Sequence, residues 1–258
     1  MKNSKTKILS FVILIGLVMI LSAITLFFDE KKGEVFTTIK LDGNQLYSKS
    51  DYLEFLRLNS PEEFPYLNAG IIRDRFQKHP YIAGVTVLQS NNVLNVTIKE
   101  KPIEAILFSD DTQYLITNEL QVIPFLPKTY HLDNPVIVNA KFRNKLRIMS
   151  SCKKQKDIIA ALKIIYTIKK ANPEFLATVS EIDLRHGKDI VISLEGKDYP
   201  VILGRGNLVN KSFCLANSGN YLNNHSLNKI INHIDLRFDD MMVFGFNDSL
   251  IEAMGNKL

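Results

Sequence analysis

Cysteine is scarce in this chain. There are two, Cys152 and Cys214, with no CxxC pair and no Cys/His cluster, which argues against a zinc site. Two free thiols are expected, and one disulfide is the alternative that spacing alone does not decide. None of the five histidines, His79, His131, His186, His225 and His233, falls in an HxH or HExxH pattern. A G-x-S-x-G elbow is missing too. The one GxG, at Gly204 and Gly206, lacks the third glycine of a dinucleotide loop and the lysine of a phosphate loop, so it reads as a tight turn. With no convergent acid, nucleophile or metal cluster, the expectation is a protein that is not an enzyme and needs no cofactor.

Acidic residues are missing from two stretches. The first is the N-terminus, where Lys2, Lys5 and Lys7 precede 21 residues without a charge, Ile8 to Phe28. At 1.5 Å per residue this run makes a helix of about 31 Å, the thickness of a bilayer core. The positive flank belongs in the cytoplasm and the rest of the chain outside. The rival, a cleaved signal peptide, has a shorter apolar region and a small-residue site, whereas this run ends in Leu26, Phe27 and Phe28. An uncleaved single-pass signal anchor is therefore expected. The second acid-free stretch is KFRNKLRIMSSCKKQK, Lys141 to Lys156, with seven Lys or Arg. It reads first as a solvated turn and helix start, and second as a contact for anionic lipid or an acidic partner. Its single aromatic, Phe142, argues against a nucleic-acid platform. The overall balance is +5, with 46% hydrophobic and 23% charged residues. That is the composition of an ordinary globular protein rather than a disordered one; the expected α+β class comes from the run of strand-like and helix-like segments.

After the charged linker DEKKGE, Val35 to Leu41 is β-branched and partly alternating, as a strand is. Asp42-Gly43-Asn44 marks a turn. Ser48 or Ser50 can cap a helix carrying Tyr52, Leu53, Phe55 and Leu56, and a second helix spans about 68–77 with Ile71, Ile72 and Phe76 on its apolar face. His79-Pro80 stops it. A hairpin follows across Ser90-Asn91-Asn92, with Val85, Val87, Val93, Asn95 and Thr97 alternating. The order is β-α-α-β-β.

That order, closing in KHPYIAGVTVLQSNNVLNVTIKEKPI, resembles a POTRA domain, and specifically the one that follows the anchor in the FtsQ/DivIB family of bacterial cell-division proteins. The pattern is carried by Pro80-Tyr81, the strand Val85 to Leu88, the turn Asn91-Asn92 and the run Lys99-Glu100-Lys101-Pro102. The resemblance extends over about residues 8–246. It implies residues 1–7 in the cytoplasm, an anchor at 8–28, a linker at 29–34, a POTRA domain at 35–103, a strand-rich β domain of mixed α/β character at 104–246 and a tail at 247–258.

In the second unit, AILFSDDTQYLITNELQVIPFLP gives apolar runs around turns at 109–111 and 118–119, and NPVIVNA adds a strand. Lys153 to Lys170 reads as a helix with Ile158, Ile159, Leu162, Ile165, Tyr166 and Lys169 at helical intervals. Then come IDLRHGKDIVISL from Ile182, a helix within 211–231, and IDLRFDDMMVFGF from Ile234. The two IDLR segments align without a gap and make a twofold repeat of helix, strand, turn and strand. If each IDLR is read as strand, Asp183 lies beside Arg185 and Asp235 beside Arg237 on one face, as structural salt bridges rather than catalytic pairs. In the first copy Ile182, Leu184, Ile190, Ile192 and Leu194 should face the core, with Asp183, Arg185, Val191, Ser193 and Glu195 on a wet side. The second copy turns apolar on both faces after Asp240. Such a strand must be buried in the core or covered by a partner's strand, and the second reading is adopted.

The family resemblance implies the same. It places a docking edge for the FtsB–FtsL pair on the last strand, carried over to Arg237, Phe238, Asp240, Met241, Gly245 and Phe246. The edge reading adds Val243 and Phe244, and assigns Gly245 to close approach of a neighbouring backbone. Met241 stands where the family often has glycine, and Lys211 resembles a lysine after the LG turn with a fold role. The implied function is a septal, inner-membrane scaffold that links division proteins, with its bulk outside the cytoplasm and a POTRA domain open to further divisome partners. The alternative is another POTRA-bearing adaptor, in outer-membrane assembly or secretion. Such a chain would normally carry several POTRA units or a barrel, and neither is present.

Overall fold

The computed structural model describes residues 13–20, 22, 36–130, 132–222, 230–238 and 241–247. Residues 13–20 are helical and exposed. Among the described residues no helix is long and apolar enough to cross a membrane; most of the expected anchor, 8–28, lies outside them, as do Asp240 and the tail after Asn247.

The first unit runs β1 (Thr38–Asp42), α1 (Lys49–Phe55), a 3-10 turn (Pro61–Tyr66), α2 (Ala69–Gln77), β2 (Ile82–Ser90) and β3 (Val93–Glu100). Its sheet has the order β1-β3-β2, with β1 parallel to β3 and β3 antiparallel to β2. Ser48 caps α1 by accepting the Asp51 N–H at 3.1 Å, and Asn68 caps α2 by accepting the Ile71 N–H at 2.9 Å. Glycine is obligatory at 43, where φ is +89° and a Cβ would stand 2.2 Å from the Ile98 carbonyl oxygen. The following turn is held by Glu100, whose carboxylate accepts the N–H groups of Gln45 and Leu46 and the Tyr52 hydroxyl. One face differs from the sequence expectation: on α2, Ile72 and Phe76 are buried while Ile71 is exposed. The hairpin forms across Asn91-Asn92 with the register Ser90↔Val93, and β3 alternates, burying Leu94, Val96 and Ile98 and turning Val93, Asn95 and Thr97 to the other face.

The second unit contributes β4 (Ile103–Ser109), β5 (Thr112–Thr117), β6 (Val122–Pro124), β7 (Val136–Val138), α3 (Lys156–Ala171), α4 (Pro173–Leu176), β8 (Val179–Asp183), β9 (Val191–Leu194), β10 (Val201–Ile202), α5 (Leu208–Asn217), α6 (Gly219–Leu222), β11 (Ile231–Asp235) and β12 (Val243–Phe246). They build one mixed nine-stranded sheet in the order β12-β11-β10-β9-β8-β7-β4-β5-β6. Leu115 of β5 and Ile123 of β6 are buried within the core of the first unit. The joint is sealed by Tyr81, whose hydroxyl accepts the Leu126 N–H at 2.8 Å, and by Tyr130 N–H donating to the Leu46 carbonyl at 3.0 Å.

The helix predicted from 153 starts at Lys156, and its face is rotated from the expected one. Ile158, Ala161, Ile164, Ile165 and Ile168 are buried, whereas Tyr166 is exposed and Ile159 and Leu162 are half-buried. α5 likewise begins at Leu208, before the expected 211. Val191, expected on a wet side, is buried because β9 lies inside the sheet between β8 and β10.

The repeat is closer in three dimensions than in sequence. α5 starts, and β11 and β12 start and end, fifty-two positions after α3, β8 and β9. Ile182↔Ile192 and Asp183↔Val191 recur as Ile234↔Phe244 and Asp235↔Val243, and even the bulge recurs, at Val179/Glu181 and Ile231/His233. The preceding strand is parallel to the first strand of each hairpin, β7 to β8 and β10 to β11. The first unit has a similar element order but a different ladder, since β1 pairs with the last strand of its hairpin.

Candidate functional site

Each IDLR motif ends a strand instead of continuing it, which corrects the reading of Asp and Arg as strand neighbours on one face. The Ile is buried; the Asp Oδ1 accepts the N–H of the Arg two residues on, at 2.8 Å for Asp183 and 2.9 Å for Asp235. The Leu is buried and its N–H extends the parallel ladder, to Val138 O at 3.1 Å and Ile202 O at 2.8 Å. Arg185 then sits in a turn with φ +43° and approaches Asp183 only to 3.7 Å. Arg237 is held more tightly: its Nε and Nη2 embrace the Asp235 carboxylate, the shortest contact 2.6 Å, and its Nη1 reaches Asp189 at 3.1 Å. The Arg237 hydrogen bonds hold the Asp235 carboxyl below the usual range, and the two carboxylates push the guanidinium's own pKa up. These are structural pairs.

The turn after β11 has a further clamp. Lys211 is buried, and its Nζ donates to Arg237 O at 3.2 Å and Leu203 O at 3.5 Å. Gly204 leaves room for the Arg237 stem, since a Cβ there would lie 3.0 Å from Arg237 Cγ, and its φ is +67°. The fold role expected for Lys211 and the turn expected at Gly204 are thus both explained by Arg237. A cavity of about 210 Å³ opens beside this turn, lined by Asn210, Lys211, Cys214, Leu236, Phe238 and Met241. Phe238 and Met241 are more than half exposed at its mouth. Cys214 is exposed and Cys152 buried, and neither is in a disulfide.

Among the described residues β12 is the edge of the sheet and pairs with β11 alone. It is not core: Val243 and Phe246 are 39% and 42% exposed, and Gly245 is half-buried. Phe244 is half-buried against the main core and stacks with Phe246, ring centroids 6.5 Å apart. Asn247 N–H donates inward to Ile230 O at 2.8 Å, so by the alternation of an antiparallel ladder the main chain of Phe246, and of Phe244, faces the open edge. Seven of the eight expected residues, all but the undescribed Asp240, thus fall on this strand and the turn before it. At Gly245 the close approach that the structure shows is internal. A Cβ there would stand 2.1 Å from the His233 ring, so the close approach comes from the chain's own side chain. Sequence reasoning missed His233, and only the cross-strand register 233↔245 shows it.

The repeat supplies a template for this edge. β9, the counterpart of β12, carries β10 on its outer side, antiparallel, with Val201↔Ile192 and Ile202↔Val191 and with Leu203 N–H donating to Ile190 O at 2.8 Å. Fifty-two positions on, the equivalent receiving residues are Phe244, Val243 and Met242. Among the described residues no three His, Cys, Asp or Glu side chains come together as a metal site.

Residues 36–101 match the family model of the FtsQ-type POTRA domain. No curated protein matches. Among solved structures, the chain is similar to the major extracytoplasmic domain, trans isomer, of the bacterial cell division protein DivIB from Geobacillus stearothermophilus. That alignment has 14% identity and a TM-score of 0.30, covering 48% of this chain and 98% of that one. So loose a superposition carries no argument about function.

Proposed function

We propose that this chain, which carries an FtsQ-type POTRA domain over residues 36–101, is a division protein of the FtsQ/DivIB kind, a non-enzymatic divisome scaffold whose open β12 edge takes a strand from an FtsB–FtsL pair. The scaffold brings that pair to the septum and thereby influences septal peptidoglycan synthesis. It is held in the inner membrane by residues 8–28, N-terminus inside and bulk outside, with the POTRA domain free for other divisome proteins.

The observation that supports this reading is the outer side of β12, unpaired among the described residues, set against β9, its repeat counterpart, which carries a strand in the same place. Main-chain hydrogen bonds would supply affinity, and the cavity between Phe238 and Met241 would take an apolar side chain of the partner. Proline at 244 removes the outward N–H that the β9 template assigns to the incoming strand, while the inward ladder is untouched. Capture of an FtsB–FtsL pair by the full chain should fall roughly tenfold in Phe244→Pro, the equivalent of about 1.4 kcal/mol. Undiminished capture by a folded Phe244→Pro variant would sink the docking reading. A C-terminal reporter fusion tests the topology separately, and a cytoplasmic C-terminus would overturn it.

A further inference from the structure

The basic stretch between β7 and α3 is a built loop. The buried side chain of Gln155 accepts the Arg143 N–H at 3.1 Å and donates to Asn144 O at 3.2 Å. The second half of the loop lies along β6: Met149 N–H donates to Val122 O at 2.7 Å, Val122 N–H to Ser150 O at 2.9 Å, and Cys152 N–H to Leu120 O at 2.8 Å. Folding has nevertheless left two large apolar side chains in the open at its tip, Ile148 at 53% and Met149 at 45% exposure. Beside them is a polar hollow of about 400 Å³ whose charged lining is Lys145, Arg147 and Lys154, with no carboxylate. Among the described residues none of these three cations is in an ion pair.

A group of cations on the same loop as exposed apolar side chains is the chemistry of a surface that sits at a lipid interface. The cations meet phosphate head groups, and the apolar tip enters the acyl boundary. A purely polar polyanion or an acidic peptide would leave Ile148 and Met149 in water. The position also fits. Gln121 accepts from Lys101 Nζ at 2.9 Å, at the end of the first unit, and donates to Met149 O at 3.2 Å, so the tip lies where the two units join. From there to the start of the POTRA sheet is the length of β3, eight residues or roughly 26 Å. The seven residues 29–35 span at most about 24 Å, enough for the POTRA domain to lie along the bilayer.

We propose that residues 141–156 form a second membrane contact, an amphipathic basic loop that seats on anionic phospholipid. This rests on reading 8–28 as the anchor. The chain has nine tyrosines and no tryptophan, so Met149→Trp introduces a single indole at the tip, excited selectively at the red edge of the absorption. The full chain carrying it would be reconstituted in nanodiscs of phosphatidylglycerol or phosphatidylcholine, each with and without brominated acyl chains. In phosphatidylglycerol the emission should shift to the blue and be quenched at least twofold more by brominated lipid than in phosphatidylcholine. Both effects should weaken in high salt and vanish when Lys145→Gln, Arg147→Gln and Lys154→Gln are added. Identical spectra and quenching in the two lipids would overturn the proposal. So would a shift produced by soluble polyphosphate but not by phosphatidylglycerol discs, which would make the hollow a polyanion site. Retention of the chain on phosphatidylcholine discs reads the anchor alone, so either reading can fail without the other.

Discussion

The imidazole of His233 occupies the space that a side chain on Gly245 would fill: a Cβ at 245 would lie 2.1 Å from Cε1 and 2.4 Å from Nδ1 of the ring. The two residues are cross-strand partners at the bulge of the last hairpin. Gly245→Ala should therefore expel His233 and destabilise the fold by about 1–3 kcal/mol. Adding His233→Ala should restore most of the loss. Urea unfolding followed by circular dichroism would measure both, and additive effects would show that the ring does not select the glycine.

Proline distinguishes the two sides of β12. Val243→Pro removes an inward N–H in register with Asp235 and should cost roughly 2–3 kcal/mol. Phe246→Pro, with its N–H outward, should cost under about 1 kcal/mol. Equal losses would mean that the strand does not alternate as described.

Acid should weaken the first unit through His79. Tyr81 N–H donates to His79 Nδ1 at 3.2 Å, which places the ring proton on Nε2. Nε2 is buried with no hydrogen-bond partner among the described residues, amid the rings of Tyr52 and Phe55. Burial first, and the charge of Lys101 second, push the pKa down to about 4. The folded value lies below the unfolded one, so the unfolded chain takes up the proton first. The contribution of neutral His79 is complete above about pH 6.5 and is lost as pH falls toward 4, to a total of roughly 3 kcal/mol. His79→Leu should flatten the slope in that window; an unchanged slope would assign it to other groups.

Asp157 joins the two repeats. It is buried in the first turn of α3, bonds Arg205 Nη1 at 2.8 Å and accepts the Lys141 N–H at 2.8 Å. Asp157→Ala should cost about 2–3 kcal/mol, below the figure for a fully buried pair because the Arg205 side chain is 31% exposed. Asp157→Asn, which can still accept from Lys141, should cost less. A smaller loss for Ala than for Asn would refute this account.

Local patterning made the β-α-α-β-β unit legible, through its caps, turns and alternating runs, and the IDLR pair announced the duplication. What the sequence concealed was set by distant partners. α3 is isoleucine-rich on several sides, so its period alone does not choose between the face of Ile159, Leu162 and Tyr166 and the face of Ile158, Ala161 and Ile165; packing against the sheet and α5 chooses. Val191 reads as solvent-facing because nothing local reveals that β10 closes over β9. For Lys211 only the family resemblance suggests a fold role, and nothing local marks Asp157; their partners, two carbonyls and a guanidinium, lie far along the chain.

The POTRA-packed strands β5 and β6 and the open strand β12 lie at opposite margins of one continuous sheet. Eight strand spacings separate β6 from β12, about 38 Å at the usual interval. The sheet is in effect a ruler. Two partners, one gripping the POTRA domain and one zipped to β12, would not collide, and a pull on the first would reach the second as tension across hydrogen-bonded strands rather than through a slack hinge.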